Sequence, residues 1–376
     1  MWFQSTKKAE DRVLHVVLSL GIGGAERIVS SLIEGGEAAG ISHGVCCLDE
    51  KGRLAEALED TGHEVHLVRR KPGIDLSLPF KVARLAVRCG YTTLHAHGET
   101  PWFYTVLAVI LTQGLRFRCL TTIHGYSGGD NAELAHPRLW RFLMVFTRRV
   151  IVVSGALEHE MKAVYPVLGK KVETIRNGIS PNEKVPAQSR DAWGLRGKTV
   201  AGVVSRLSPV KNHLLLLKAV ERLIGLGRED LVVMVVGDGP EREPLEAYAQ
   251  KPGLKGHVIF TGERLDALGF YPLFDLFVLP SLSEGISVAL LEASALGVPL
   301  IASGVGGNTE IVSHMGTGLV FESENLDDLT RQIELLLDTP SLAGRLAAGA
   351  RAWVRETFSV RAMVDRYNRL YLEMAG

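Results

Sequence analysis

The stretch PSLSEGISVALLEASALGVPLIAS, residues 280–303, carries two acids, Glu284 and Glu292, eight positions apart in a segment otherwise apolar enough to be buried. An unpartnered buried carboxylate is costly, so each acid needs a task. Gly285 breaks any helix between them, and Ser287 suits an N-cap, which predicts a helix over 288–296 with Glu292 on its second turn. The amides of Ile286, Ser287, Val288 and Ala289 would then point outward at an anion. A carboxylate is a poor partner for phosphate but a good acceptor from paired sugar hydroxyls. A nucleotide sugar offers two such hydroxyl sets, one on each side of its diphosphate. Glu292 is a candidate for the ribose and Glu284 for the second sugar. The plainer alternatives are helix-dipole stabilisation for Glu284 and a core salt bridge for Glu292.

Cations stand where a diphosphate would need them. VSRLSPVKNHLLLLKAVERLIGLG (204–227) sets Arg206 and Lys211 on a short loop after a strand, and the amphipathic helix behind them stops at Gly227. In doubly wound sheets ligands bind at that edge. Arg206 could grip a diphosphate as a fork and Lys211 as a point charge, although the pair alone reads equally as solvated surface charge. VVGDGPERE (235–243) ends another strand in a glycine turn holding Asp238, with Pro240 suited to a first helical turn. Arg264, in FTGERLD (260–266), opens on the same edge. Near the start, LSLGIGGAERIV (18–29) offers backbone amides at Gly23 and Gly24, but Glu26 stands where the dinucleotide fingerprint needs glycine. A nicotinamide reading rests on Asp49 alone. A tight turn without ligand explains those glycines as well.

The elements that must hold these groups alternate. VLHVVLS (13–19), HEVHLV (63–68), TTLHA (92–96), RCLTTI (118–123) and RVIVVS (149–154) read as strands, each followed by a helix-length segment. The pattern lapses over KKVETIRNGISPNEKVPAQ (170–188), with Pro181 and Pro186, and restarts with strands at 198–205, 230–237, 257–262, 276–281 and 298–303. The expectation is α/β: two Rossmann-like doubly wound domains, 1–181 and 187–358, facing across a cleft. After Asp338 helices take over, and the last, 359–376, with Val360, Met363, Tyr367, Leu370 and Tyr371 on one stripe, crosses back onto the first domain.

A chain of 376 residues exceeds one ordinary core, in keeping with two domains. Lys plus Arg and Asp plus Glu each total 42, which leaves no basic field for nucleic acid. Four cysteines without C-x-x-C spacing argue against zinc or a disulfide framework. MWFQSTKKAEDR lacks the apolar core of a signal peptide, and 101–114 is too short to span a bilayer, so the chain reads as cytoplasmic. HPRLWRFLMVFTRR (136–149) reads first as a core-packed helix with a basic outer edge and second as a membrane-facing one.

Seven stretches, in order and correctly spaced, resemble the retaining GT-B glycosyltransferases of family 4 over nearly the full length. They are GGAERIV (23–29), TTIHGYS (121–127), IRNGIS (175–180), SRLSPVKNHLLLLKA (205–219), VGDGPERE (236–243), FTGERLD (260–266) and PSLSEGISVALLEASALGVPLIASGVGGNTEIV (280–312). The resemblance implies a nucleotide-diphosphate sugar, UDP-linked, held mainly by the second domain as co-substrate, with no bound cofactor or metal. Arg206 and Lys211 would hold the diphosphate, Glu292 the ribose, and Glu284 with Gly285, Ile286, Ser287 and Val288 the donor sugar. Arg264 would lie by the base, Gly23 and Gly24 would close on the phosphates, and His124 would help position the reacting sugar. Asn308 and Thr309 stand where the family has a proline. A hexosyl unit would pass with retention to a saccharide or lipid-linked saccharide, in cell-surface polysaccharide or glycolipid synthesis, at a peripheral contact with the cytoplasmic membrane face. The loops HAHGETPW (95–102) and GYSGGDNAELAHP (125–137) would select the acceptor. The alternative is a sugar-nucleotide 2-epimerase of the same two-lobed fold. A phosphorylase would need a cofactor-bearing lysine that nothing marks, and a non-enzymatic sensor fits poorly with intact cations and acids.

Overall fold

The computed structural model describes residues 11–21, 23–112, 117–125, 137–180 and 186–375. Most of MWFQSTKKAEDR, residues 126–136 of the second acceptor loop and Pro181 of the linker lie outside the described residues. Those described up to His124, from 137 to Arg176 and from Val360 onward form one compact unit; Gly125 and those from Asn177 to Ser359 form a second.

In the first unit seven parallel strands run β1 (Arg12–Val17), β2 (Ser42–Cys47), β3 (Glu64–Leu67), β4 (Thr93–His97), β5 (Arg118–Ile123), β6 (Arg149–Val152) and β7 (Val172–Thr174), in the order β3-β2-β1-β4-β5-β6-β7. Helices cover both faces, so the central strands bury almost every residue, Val13 and Leu14 as fully as His15 and Val16. Helix Glu99–Leu111 is the buried helix expected from its apolar run, with Trp102 and Val106 fully enclosed. HAHGETPW is not a loop: His95 and His97 belong to β4, and after Gly98 the chain enters that helix at once. Helix Val360–Ala375 returns to this unit, burying Met363, Tyr367, Leu370 and Tyr371, and packs against helix Gly24–Gly36.

The second unit repeats the plan with β8 (Thr199–Val204), β9 (Leu231–Val236), β10 (Val258–Gly262), β11 (Leu276–Leu279), β12 (Leu300–Ser303) and β13 (Leu319–Phe321), ordered β10-β9-β8-β11-β12-β13. Its core joins Val203, Val233 and Val278 of the sheet to Leu216, Val220 and Leu223 of helix His213–Gly225. Each sheet therefore reverses its strand order once, between β1 and β4 and between β8 and β11. Such a reversal opens a crevice beyond the carboxyl ends of the two strands. No described helix is long and apolar enough to cross a membrane.

Candidate active site

The loops that leave β8 and β11 carry most of the singled-out residues, and they are tied to each other: Leu282 N–H donates to Val210 C=O at 2.8 Å. The β8 loop turns into a single 3-10 turn, Pro209–Lys211, before helix His213–Gly225 begins. His213, buried beside Ser205 (Nε2 to Oγ 2.8 Å), anchors that loop from below. Burial and the nearby Lys211 lower its pKa to about 4, so it stays neutral. Arg206 is exposed, and its guanidinium forms no ion pair with a described residue.

The β11 loop runs from Pro280 to Ser287. Ser287 caps helix Val288–Leu296 by accepting from Leu290 N–H at 3.3 Å, and Gly297, at φ +76°, ends it. That is the expected helix to the residue. Lys211 Nζ reaches across from the β8 loop to Glu284 Oε1 at 2.6 Å, and Ser281 Oγ donates to the same oxygen at 2.7 Å. The lysine is about a quarter exposed (23%) and the carboxylate nearly buried at 8%, so water screens this pair poorly. Glu292 is buried on the second turn and accepts from Tyr271 Oη at 2.6 Å. Tyr271 lies on the 3-10 segment Ala267–Leu273, a partner that the sequence alone does not reveal.

Neighbouring glycines exist because backbone occupies their side-chain space. A Cβ on Gly237 (φ +143°) would lie 2.0 Å from Ser205 O, and one on Gly239 (φ +157°) 2.4 Å from Leu207 O. The glycine turn after β9 thus packs flush against the Arg206 loop, and Leu207 N–H donates to Asp238 C=O at 2.9 Å. Gly306 and Gly307 would likewise meet Glu284 O at 2.0 Å and Gly285 O at 1.7 Å. Gly307 N–H donates to Glu284 C=O, and Asn308 N–H to Val305 C=O at 3.1 Å, a bond that proline at 308 could not make.

The two other second-unit candidates have local partners. Asp238 is occupied locally, accepting from Gly239 N–H and Arg242 Nη1, both at 2.7 Å; Pro240 precedes rather than opens helix Arg242–Ala249. Arg264 forks onto Asp266 at 2.8 and 2.9 Å, with its guanidinium 5.3 Å from the Phe270 ring centre. That hydrogen bonding holds the Asp266 carboxyl below its usual range.

In the first unit Gly23 N-caps helix Gly24–Gly36 just beyond β1, in an extended conformation, and a Cβ there would meet the Glu26 carboxylate. Asp49, the residue behind the nicotinamide reading, is held by Arg70 through two bonds of 2.9 and 3.0 Å. His124 follows β5 and joins a buried histidine cluster that sequence reasoning missed: His15, His43, His95 and His97. The signal was present as histidines at alternating, inward strand positions, as in HAH. Burial lowers the pKa of His43 and of His124 to about 4 and holds the other three well below the ordinary value. His15, His95 and His97 come within reach of one metal ion, but His95 spends both nitrogens at 2.7 Å, on Tyr371 Oη and Thr122 Oγ1. The same holds for Glu64, His66 and Cys89, where Arg12 and Tyr91 occupy the carboxylate.

Residues 22–183 match the Glycosyltransferase Family 4 model and residues 187–353 the Glycosyl transferases group 1 model. The chain is 32% identical over 302 residues to the GDP-mannose-dependent alpha-(1-6)-phosphatidylinositol monomannoside mannosyltransferase of Mycolicibacterium smegmatis, covering 72% of this chain and 76% of that one. It is 26% identical over 358 residues to N-acetyl-alpha-D-glucosaminyl L-malate synthase of Bacillus anthracis, covering 85% and 92%. Anabaena Alr3699/HepE in complex with UDP-glucose superposes with a TM-score of 0.83 at 21% identity, over 96% of this chain and 99% of that one, a likeness of fold. With two sheets of Rossmann order and both family models matched in sequence, the chain belongs to glycosyltransferase family 4, with the two-domain GT-B fold.

Proposed function

We propose that this glycosyltransferase moves a hexosyl unit, with retention of configuration and without a bound metal, from a UDP-linked sugar to a saccharide or lipid-linked saccharide. The observation that carries this reading is the Lys211–Glu284–Ser281 cluster at the strand-order reversal of the second sheet, beside exposed Arg206 and the Ser287-capped helix. A diphosphate arriving there meets Arg206, Lys211 and the positive end of helix Val288–Leu296. Lys211 then turns from Glu284 to phosphate, and Glu284 becomes available to sugar hydroxyls. As the nucleotide diphosphate departs, charge grows on its oxygens, and these groups stabilise it as it forms. Glu292, already oriented by Tyr271, takes the ribose hydroxyls, and Arg264 with Asp266 stands toward the base.

The relatives and solved structures that support a nucleotide-sugar donor differ in base: the mycobacterial relative is named for GDP-mannose and the Anabaena structure holds UDP-glucose. A thermal-shift screen of uridine, guanosine and adenosine diphosphates and their sugars decides between them. The anomeric configuration of the product, read by NMR, tests retention; activity after chelation tests the metal. Nucleotide release without any acceptor would instead mark a 2-epimerase.

A membrane-facing acceptor side is supported by helix Pro137–Phe146. It buries Trp140, Leu143 and Met144 against its unit while exposing Phe142, Val145 and Phe146 among Arg138, Arg141, Arg148 and Arg149. Apolar rings rimmed by arginine suit an anionic lipid surface. Co-sedimentation with anionic but not neutral vesicles, lost in Phe142→Ser/Phe146→Ser, is the expected result.

A further inference from the structure

Four imidazoles in the first unit form one continuous line. His43 Nδ1 lies 2.9 Å from His15 Nε2, His15 Nδ1 lies 2.9 Å from His97 Nε2, and His97 Nδ1 lies 3.1 Å from His124 Nε2. Each comes from a different neighbouring strand or its end, β2, β1, β4 and β5. The pairings of Val13 with His43, of His15 with His95 and of His97 with Thr122 show that each step moves one strand across and two residues along. All four side chains therefore share one face of the sheet. Tyr371 of helix Val360–Ala375 packs edge-on to His15 and His43 on that face. The terminal nitrogens, His43 Nε2 and His124 Nδ1, are buried and have no hydrogen-bond partner among the described residues.

Burial keeps all four rings neutral, and a neutral imidazole has one N–H and one lone pair. Three ring-to-ring bonds consume three N–H groups, so the fourth must sit at one end of the line. Only two arrangements exist: every ring carries its proton on Nδ1, or every ring carries it on Nε2. The far end decides. A Cβ built on Gly36 would lie 1.9 Å from His43 Nε2, so a glycine Cα–H points at that nitrogen. An N–H there would face hydrogen with no acceptor, whereas a lone pair accepts a weak Cα–H contact. The other polar groups near the line do not contest this. Tyr371 and Thr122 are engaged with His95, Tyr367 with Thr122, and His63, whose charge bears on His43, lies toward Glu37.

We propose that His43, His15 and His97 are positioning residues that fix all four imidazoles in the Nδ1–H form and so present His124 Nδ1 as an uncharged hydrogen-bond donor. On the saccharide-substrate reading above, that N–H is offered to a hydroxyl oxygen of a sugar bound to this unit; the tautomers themselves do not depend on that reading. A neutral donor positions a hydroxyl oxygen without adding positive charge to the site. Gly36, at the end of helix Gly24–Gly36, then controls the sense of a hydrogen bond four rings away.

Long-range proton–nitrogen correlation spectra of the full-length protein, labelled with 15N-histidine and assigned by single substitutions, read the tautomers directly and without substrate. The expected result is the Nδ1–H form at His43, His15, His97 and His124. The Nε2–H form at these four positions, or different forms along the line, overturns the proposal. Gly36→Ala forces His43 Nε2 aside and is expected to shift the His124 nitrogens; unchanged nitrogens in a folded variant would contradict the coupling. In turnover assays His43→Phe should lower kcat about fivefold, the worth of one neutral hydrogen bond, with KM for the donor sugar unchanged. An unaltered kcat overturns the positioning role. A nucleotide-induced thermal shift tests the donor site separately, so failure of either reading is recognised without the other.

Discussion

Lys211 Nζ and Glu284 Oε1 are 2.6 Å apart, and they come from the two loops on either side of the strand-order reversal in the second sheet. The pair keeps a nearly buried carboxylate and a cation satisfied until a ligand separates them. On the proposed reading Lys211→Ala removes the charge that stabilises the leaving diphosphate, so turnover should fall roughly a hundredfold or more, measured by steady-state kinetics. If turnover held and only the apparent acceptor affinity changed, the role given to Lys211 would be wrong.

Tyr271→Phe leaves the buried Glu292 carboxylate without its 2.6 Å donor. The cost should be about 1–3 kcal/mol of unfolding free energy, seen as a lower urea midpoint. Donor affinity should weaken as well, because the carboxylate loses its fixed rotamer. A variant with wild-type midpoint and affinity would show that the tyrosine orients nothing.

Gly237→Ala places a Cβ 2.0 Å from Ser205 O at a φ of +143°, where side chains rarely go. Backbone must move in the Arg206 loop, at a cost of about 2 kcal/mol or more. Thermal unfolding should register it. Gly194→Ala, with φ +66° and open space around it, tests how much is strain and how much collision.

Acid should weaken the fold before carboxylates titrate. Burial lowers the pKa values of His43, His124 and His213 to about 4 from an ordinary 6.5, and those of His15, His95 and His97 well below the ordinary value. The unfolded chain therefore binds more protons than the folded one between pH 6.5 and about 4. Stability is full above pH 6.5 and falls as pH drops through that window. Denaturation curves at pH 7.5, 6 and 5 should show the decline; a flat profile would mean that the histidines are solvated.

What was legible in the sequence is what local chemistry writes there. Ser287 and Gly297 bracket helix Val288–Leu296, and RCLTTI is a strand end to end, because caps and β-branched runs act within a few residues. Strand β2, ending just before Asp49, is hard to bound because SHGVCC dilutes its apolar run with histidine and glycine, and β13, only three residues long, leaves no pattern to find. Long-range pairings were beyond reach. Glu292 finds Tyr271 twenty-one residues away, and His15 finds His97 eighty-two away, through sheet order that no local pattern encodes. Asn308 shows the converse: the family's proline is absent, yet two glycines pressed on the Glu284–Gly285 backbone keep the loop in place.

Central to the proposed function is a nucleoside diphosphate gripped at the second unit's sheet edge by Arg206 and Lys211. Isothermal titration of the wild-type protein and of Arg206→Ala/Lys211→Ala with uridine diphosphate and its glucose conjugate measures that grip directly. Binding to the wild type and a loss of at least tenfold in the double variant are expected. Equal affinity for both proteins, or nucleotide bound to the first unit alone, would contradict the proposed grip.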